Sequence, residues 1–211
     1  MKPVKTETSF YCAMQCLQSV GNKVNQLTVD LEKSLTNAIQ QTLSSTLFTD
    51  TLYWSYSDKE NPSNWFYEST YLSLPIIYTR HKERTFYLNI QISLHGLGIQ
   101  SHSTKNTEPL LHVFFGDIPL NREHTFELNQ IYDSRENITS FNQRLFTWSP
   151  NTTNSYQPWL ISFYLTEFNT PQDIQEKLVQ PCLTLLKKPI KHNDLPVDPQ
   201  KMAALFIYPR E

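Results

Sequence analysis

The chain has 211 residues, of which 18% are charged and 39% are hydrophobic, and its formal net charge is −2. This length and composition are typical of one folded domain with its own core, and they exclude an intrinsically disordered chain. Because the charge is nearly neutral, we expect no general binding to nucleic acid or to an anionic membrane, and only a local basic patch would hold a nucleic acid.

The sequence contains no motif that fixes a chemistry. Its 4 glycines lie outside the patterns of P-loops, dinucleotide-binding folds and nucleophile elbows, which need glycine where the backbone approaches a phosphate or turns sharply. Its 6 histidines show no H-x-H or H-x-x-x-H spacing, so no local pattern indicates a zinc site. We therefore predict no cofactor and no metal centre.

The 3 cysteines are Cys12, Cys16 and Cys182, and no C-x-x-C pair occurs. Cys12 and Cys16 share one face of a helix, and we expect both to be small buried side chains rather than metal or redox groups. The chain has no signal-peptide pattern and no run of about 18 apolar residues. We therefore expect a soluble protein of the cytoplasm.

Residues 8–47 carry a helical pattern, because apolar side chains recur in steps of three and four. The segment is either one helix or two helices with a break near residues 21–27, where Gly21 weakens the pattern and Thr28 would cap the second helix. The stripe fits a helix packed on a sheet, and it also fits an oligomer interface. Its members are Ala13, Leu17, Val20, Val24, Leu27, Leu31, Leu35, Ala38 or Ile39, and Leu43.

Residues 48–70 predict a hairpin with aromatic arms. The polar loop SDKENPSN lies between Trp54 and Tyr56 on one side and Trp65 and Tyr67 on the other. Large aromatic side chains concentrate binding energy at protein interfaces, and they stack on bases and sugars. They also cover the rim of a core. We take these four residues as candidate binding residues.

Two strands are expected next, at residues 71–79 and 85–95. Pro75 lacks the donor that a sheet ladder needs, so we expect the first strand at a sheet edge or at a bulge. The second strand alternates strictly, and its uncharged polar face includes Tyr87, Asn89 and Gln91. Such a face suits solvent, a partner surface or a ligand pocket.

The turn between these strands is the densest charge cluster of the chain. Arg80, Lys82 and Arg84 lie within five residues. The cluster fits a contact with a phosphate or an acidic partner, and it also fits a solvated turn that protects a sheet edge from aggregation. We include all three residues among the candidate binding residues.

The rest of the chain predicts further strands and one helix. Strands are expected at residues 110–115, in the segments TFELNQIYD and SFNQRLFTW, and at residues 158–168. Thr170 is the expected cap of a helix, with Pro171 at its first position and Asp173 in its first turn. Pro181 is expected to kink or end that helix.

The order of elements predicts an α+β fold. Strand–helix–strand alternation is absent from the middle of the chain, which argues against a doubly wound parallel sheet. We predict a single domain over residues 1–211. It comprises a helical N-terminal part (8–47), a mostly antiparallel sheet of five to seven strands (48–168), a C-terminal helix packed on the same face (170–188), and a proline-punctuated linker and tail (189–211).

Candidate catalytic groups are weak. His95, His112, Asp117 and Glu167 lie in or near predicted strand ends, where active-site acids and bases are common, but turn residues and caps are common there too. An enzymatic role would require these groups to converge in one cleft.

The leading interpretation is a non-enzymatic protein-binding module that acts in a complex, through its aromatic surface and its uncharged polar sheet face. The expected partner is another protein or a second copy of the chain. One alternative is a metal-dependent hydrolase acting on a phosphate-containing or nucleic-acid substrate. A second alternative is a small-ligand sensor whose pocket would be lined by Tyr87, Asn89 and Gln91.

Overall fold

A computed structural model describes residues 6–43, 47–48, 53–60, 67–78, 85–94, 109–121, 138–141, 145–148 and 157–187. In chain order the described elements are helix α1 (Thr6–Leu43), strands β1 (Leu47–Phe48), β2 (Ser55–Glu60), β3 (Tyr67–Tyr78), β4 (Thr85–Ser93), β5 (Leu110–Gly116), β6 (Ile138–Phe141), β7 (Leu145–Trp148) and β8 (Trp159–Tyr164), and a helical segment α2 over residues 171–187. The predicted linker and tail at residues 189–211 lie outside the described residues.

The described strands form one antiparallel sheet with the order β1-β3-β4-β5-β8-β7-β6. β1 and β2 both pair with β3, at opposite ends of that strand, so they share one edge and the sheet is seven strands wide. The remaining neighbours are also antiparallel. With one helix before the sheet and one after it, this architecture confirms the predicted α+β class.

The core lies between one face of the sheet and the two helices. Strands bury alternate residues because successive side chains point to opposite faces, and β4 contributes Phe86, Leu88, Ile90 and Ile92 as predicted. Leu35 of α1 and Leu178 of α2 belong to the same apolar cluster and are 0% exposed. Removal of this apolar area from water stabilises the layered arrangement.

α1 is one continuous helix of 38 residues. Thr28 does not cap a second helix, because its hydroxyl donates to the Val24 carbonyl oxygen at 2.9 Å within the same helix. The helix ends at Leu43, before the predicted end at residue 47, since Leu47 and Phe48 pair with β3. Of the two alternatives for residues 8–47, the structure therefore has the single helix.

Pro75 lies inside β3, which is a twelve-residue strand with neighbours on both sides. β2 pairs with β3 as far as Ser73, and β1 pairs with it from Ile77 onward. Neither short strand reaches Pro75, so the missing N–H faces a gap where no ladder bond is made. The expectation of an edge position therefore holds locally, at this one residue.

The predicted strand SFNQRLFTW is wrong in its extent. β6 and β7 pair with each other as a hairpin, and β7 then pairs with β8. The polar residues 142–144 separate the two short strands, whereas the sequence pattern merged them into one. The other strand predicted in this region, TFELNQIYD, lies outside the described residues.

α2 begins at the predicted cap. The Asp173 backbone N–H donates to Thr170 Oγ1 at 3.2 Å, and the Thr170 backbone N–H donates to Asp173 Oδ2 at 2.8 Å, which completes a capping box. Pro181 does not end the helix. The preceding residues, Ile174–Val179, form a π-helix, in which each backbone hydrogen bond spans five residues. The hydrogen-bond pattern therefore changes just before Pro181, which has no backbone N–H to donate.

Candidate functional site

The N-terminal part of α1 is the most exposed structured region of the described chain. Every residue from Phe10 to Lys23 is exposed. We call residues 10–23 the free half of α1 and residues 24–43 the packed half. The exposed fractions of its large apolar side chains are substantial: Phe10 62%, Tyr11 63%, Met14 40%, Leu17 45% and Val20 47%.

The packed half has the opposite character. Most of its apolar side chains lie against the sheet and against α2, where Leu31 and Leu35 are 0% exposed and Ile39 is 1% exposed, whereas Val29 is 39% exposed. The transition falls at Val24, which is 8% exposed. One helix therefore serves as a core element over its second half and projects beyond the core over its first half.

A single apolar stripe runs through both halves. In the free half it contains Phe10, Ala13, Leu17 and Val20, and it continues without a break into Val24. These steps alternate three and four, which is the spacing of a coiled-coil seam. In the packed half the steps settle at four, from Leu31 to Leu35, Ile39 and Leu43, so the buried positions turn by roughly 40° around the helix axis at each step.

The free half carries a single charged residue, Lys23, at its end. No charged residue occurs between Glu7 and Lys23. A helix of this length without tertiary contacts is marginal in water, and charged i,i+4 pairs are the usual way to support one. An uncharged helical surface with a large apolar stripe is instead typical of a surface that is buried against another protein.

Cys12 and Cys16 correct an expectation from the sequence. Both are exposed, whereas Cys182 is buried. The sequence prediction rested on the general preference of free cysteine for buried positions, which these two residues do not follow. Burial alone raises the pKa of the Cys182 thiol far above its ordinary value, so that thiol stays protonated.

The aromatic arms divide into buried and exposed residues. Trp54 is 8% exposed, and its indole Nε1–H donates to Thr36 Oγ1 of the packed half at 3.0 Å, so Trp54 is a core residue. Tyr56 is 51% exposed. Its hydroxyl donates to the Glu32 carboxylate, and partial burial together with that carboxylate raises the pKa of Tyr56 well above its ordinary value. Tyr67 lies at the start of β3, and Trp65 lies outside the described residues.

The polar face of β4 is buried rather than open to solvent. Asn89 and Gln91 are 0% exposed, and Tyr87 is half-buried. Asn89 and Gln91 are therefore internal polar residues and do not form a surface that a protein partner reaches. A transverse row of polar side chains crosses four strands on this face, namely Tyr71, Gln91, His112 and Ser162.

Asn89 uses its amide to hold the segment after β5 against this face. Its Oδ1 accepts from the Leu120 backbone N–H at 2.8 Å and lies within hydrogen-bonding distance of the Ser73 hydroxyl. Its Nδ2 donates to the Tyr87 carbonyl at 3.2 Å and to the Ile118 carbonyl at 3.1 Å. All the hydrogen-bonding capacity of the amide is thus engaged inside the protein.

The described catalytic candidates do not form an acid–base pair. β5 and β8 run antiparallel, with Leu110 opposite Tyr164. Asp117 follows the end of β5, whereas Glu167 follows the end of β8, so the two carboxylates lie at opposite ends of the strands, roughly 20 Å apart. His112 lies between these ends, fully buried, with its Nδ1 2.7 Å from Ser162 Oγ.

Glu167 has a structural partner. The Lys177 ammonium lies 3.4 Å from Glu167 Oε2 and 2.8 Å from Asp173 Oδ1. The hydrogen bond from Lys177, followed by the one from Thr170, holds the pKa of Asp173 well below its usual range. This cluster fixes the start of α2 on the end of β8.

Several sequence candidates lie outside the described residues: His95, Arg80, Lys82 and Arg84. Among the residues that the structure describes, no group of three or more His, Cys, Asp or Glu side chains is arranged to hold a metal ion. No helix in the described part of the chain is long and apolar enough to cross a membrane.

No protein-family model, curated protein or solved structure matches the chain. The candidate site therefore rests on geometry, which points to the free half of α1. The sequence reasoning missed Phe10 and Met14 as candidates. The signal that identifies them is the uncharged stretch from Thr8 to Asn22 combined with the apolar stripe, since a solvated helix face normally carries charges.

Proposed function

We propose that the protein is a non-enzymatic binding module that works in a protein complex, and that the free half of α1 is its binding surface. The observation that carries this proposal is the exposed apolar stripe on a helix half in which no residue from Phe10 to Lys23 is buried. Exposed apolar surface of this kind costs free energy in water, and burial against a partner recovers it.

The helix offers the partner a preformed surface. Its backbone is continuous with the packed half, which is held by the core, so α1 does not have to nucleate when the partner binds. Preorganisation lowers the entropic cost of association. The apolar side chains at positions 10, 13/14, 17 and 20 have the i, i+3/i+4, i+7 spacing by which a helix face is recognised in a groove or by another helix.

Tyr56 supports a binding role for the aromatic side chains around β2. Of the four aromatic candidates, the structure describes the side chains of Trp54 and Tyr56. Trp54 is buried and Tyr56 is exposed. Tyr53, at 75% exposure, lies next to Trp54 and adds a second exposed ring. We propose that these two tyrosines are a secondary contact surface, whereas Trp54 supports the fold.

The other two functions have less support. A hydrolase needs convergent acids and bases, and Asp117 and Glu167 lie at opposite ends of their strands. A sensor pocket on the polar sheet face would need free donors and acceptors, and the Asn89 amide is fully engaged in internal hydrogen bonds.

We also propose that the protein is cytoplasmic. The support is the state of the cysteines, since Cys12, Cys16 and Cys182 are free thiols and two of them are exposed. Free exposed thiols persist in reducing compartments.

The test is quantitative co-purification from native lysate with the wild-type protein, Leu17→Glu and Gln18→Glu. Both variants add one negative charge at neighbouring exposed positions, but only Leu17 lies on the apolar stripe. We expect the wild type and Gln18→Glu to retain a partner in a fixed molar ratio and Leu17→Glu to lose it. Retention of the partner by Leu17→Glu, with all three proteins equally folded, would contradict the proposed surface.

A further inference from the structure

We propose that Cys12 and Cys16 form a metal site on the free half of α1, which binds one Cu(I) ion between its two sulfur atoms. The site does not depend on the proposed protein-binding function, because it lies on another face of the helix. Its basis is the exposure of both thiols, their spacing on one continuous helix and the set of ligands that the described residues offer around them.

Both thiols are open to solvent. Free cysteine is among the most buried residue types, and Cys182 follows that preference at 0% exposure. Cys12 and Cys16 are exposed. The sequence prediction set metal binding aside because it expected these two side chains to be buried. Their exposure removes that reason, since a metal ion reaches both sulfur atoms directly from solvent.

The helix holds the two thiols next to each other. α1 is a continuous α-helix from Thr6 to Leu43, and residues four apart in an α-helix lie one above the other on the same face. Their Cβ atoms are then about 5–6 Å apart. Cys12 and Cys16 therefore form a dithiol whose spacing is set by the backbone before a ligand binds.

This spacing suits a metal ion better than a disulfide. A disulfide needs Cβ atoms about 3.5–4.5 Å apart, so the helix would have to distort for the two cysteines to form one. Two metal–sulfur bonds of about 2.3 Å each place the sulfur atoms about 4–4.6 Å apart, which is close to the Cβ separation. The side chains therefore hold a metal ion by leaning only slightly toward each other.

The ligands at the dithiol select the metal. Among the described residues, no group of three or more His, Cys, Asp or Glu side chains is arranged to hold a metal ion. The next residues along the same face, Ser19 and Lys23, supply no soft ligand. A structural zinc site needs four ligands, whereas soft thiolates favour Cu(I), which is stable with two sulfur ligands in a nearly linear arrangement. The chemistry of the pair therefore fits Cu(I).

Binding releases two protons and transfers no electron. Each thiol gives its Sγ–H proton to solvent as its sulfur bonds to the metal, because the thiolate is the ligand, and copper stays in the monovalent state. The complex of one Cu(I) ion with two thiolates carries one negative charge. No acidic residue occurs from Thr8 to Lys23, so the free half adds no carboxylate that would repel this charge.

The dithiol and the apolar stripe lie on different faces of α1. Each cysteine directly precedes a stripe residue, Ala13 or Leu17, and successive residues of an α-helix are about 100° apart around the axis. A Cu(I) ion bound to the dithiol therefore leaves the stripe uncovered. The metal site stands or falls separately from the proposed protein-binding surface.

The test is an anaerobic titration of the reduced full-length protein with Cu(I), in competition with a chromophoric Cu(I) chelator. We expect the wild type to bind one Cu(I) ion per chain. Cys12→Ser and Cys16→Ser should each raise the dissociation constant by at least about 100-fold, because the second sulfur no longer acts at high effective concentration. Both positions are exposed, so circular dichroism is expected to show an unchanged fold.

A spacing variant provides the matched control. Cys16→Ser combined with Gln18→Cys keeps two exposed thiols in the free half, but it places them six residues apart and about 120° apart around the axis. We expect this variant to bind Cu(I) as weakly as the single-cysteine variants. Equal affinity of the wild type and the spacing variant would overturn the site, because two thiols at any spacing would then suffice.

Stoichiometry and metal preference give two further results that would overturn the inference. One copper ion per two chains, with the mass of a dimer in light scattering, would mean that the ion is held between copies rather than within one dithiol. Binding of Zn(II) as tight as that of Cu(I) would contradict a site with two soft ligands. One Cu(I) ion on a monomer, lost with either cysteine and in the spacing variant, supports the site.

Discussion

The two halves of α1 share one apolar stripe and have opposite environments. Leu35 of the packed half is 0% exposed and Leu17 of the free half is 45% exposed, although both lie on one apolar stripe. The packed half is covered by the sheet and by α2, and no residue of the free half is buried. Amphipathic spacing thus identifies the apolar face of a helix, but it does not say whether another part of the chain covers that face.

The comparison also separates two kinds of stability. Substitutions in the packed half should act on the free energy of unfolding, because their side chains belong to the core. Substitutions in the free half should act on association and leave the isolated domain unchanged.

The largest effect is expected at Trp54, which donates its indole N–H to Thr36 of the packed half. Trp54→Ala should lower the free energy of unfolding by about 3–5 kcal/mol, because it leaves a large cavity and an unpaired hydroxyl. Tyr53→Ala, at a neighbouring residue that is 75% exposed, should change it by less than about 0.5 kcal/mol. Urea denaturation measures both, and equal losses would show that Trp54 is not a core residue.

The next effect compares the halves directly. Leu35→Ala should lower the free energy of unfolding by about 2–5 kcal/mol. Leu17→Ala should lower it by less than about 0.5 kcal/mol when both variants are measured on the unassociated protein. Leucine and alanine have similar helix propensities, so burial dominates the difference. A large loss for Leu17→Ala in the monomer would mean that the free half packs against its own chain.

A pH-dependent effect is expected at the start of α2, which covers the packed half. Hydrogen bonds from Lys177 and then from Thr170 lower the pKa of Asp173, so this carboxylate stabilises the fold above its unfolded pKa of about 3.9. That contribution is lost as the pH falls below this value toward the folded pKa. The difference in urea midpoint between the wild type and Asp173→Asn should be constant at pH 5–7 and shrink below about pH 4.

Lys177→Met provides the matched control for that prediction. It removes the principal cause of the lowered pKa but keeps the carboxylate of Asp173 and its bond to the Thr170 backbone. In this variant the acid-dependent loss of stability should begin near the same unfolded pKa, but it should be smaller and should be complete at a higher pH than in the wild type. If the urea midpoints of Asp173→Asn and of the wild type fell in parallel as the pH is lowered, protonation of Asp173 would not be coupled to unfolding.

The smallest effect is expected at Gly21 in the free half. Apart from the adjacent residues and the helix's own backbone, nothing lies within 4 Å of the position that a Cβ would occupy, so Gly21→Ala gains helix propensity without a clash, by about 0.5–1 kcal/mol. Amide hydrogen exchange should slow in residues 10–23 and remain unchanged in residues 31–43. Slower exchange in both ranges would mean that the two halves open as one unit.

Much of the fold could be predicted from local patterns. The alternation from Phe86 to Ile92 determined which face of β4 enters the core, and the Thr170–Pro171–Asp173 pattern located the start of α2. The candidate site was harder to predict, because the sequence assigned binding to Asn89 and Gln91 on the polar face of β4. Polar side chains without charge can be buried when their hydrogen bonds are satisfied internally, and Asn89 satisfies its own with Ile118 and Leu120.

What the sequence determined by itself was the periodicity of each segment: a long amphipathic stripe, alternating strands and a capped C-terminal helix. These follow from backbone geometry, which repeats over a few residues. Only the tertiary structure decided that the sheet begins beside Val24, that Cys12 and Cys16 are exposed, and that Trp54 is buried. Burial depends on which distant segments meet, and for α1 the sheet and α2 cover the stripe only from Val24 onward, so its first half remains exposed.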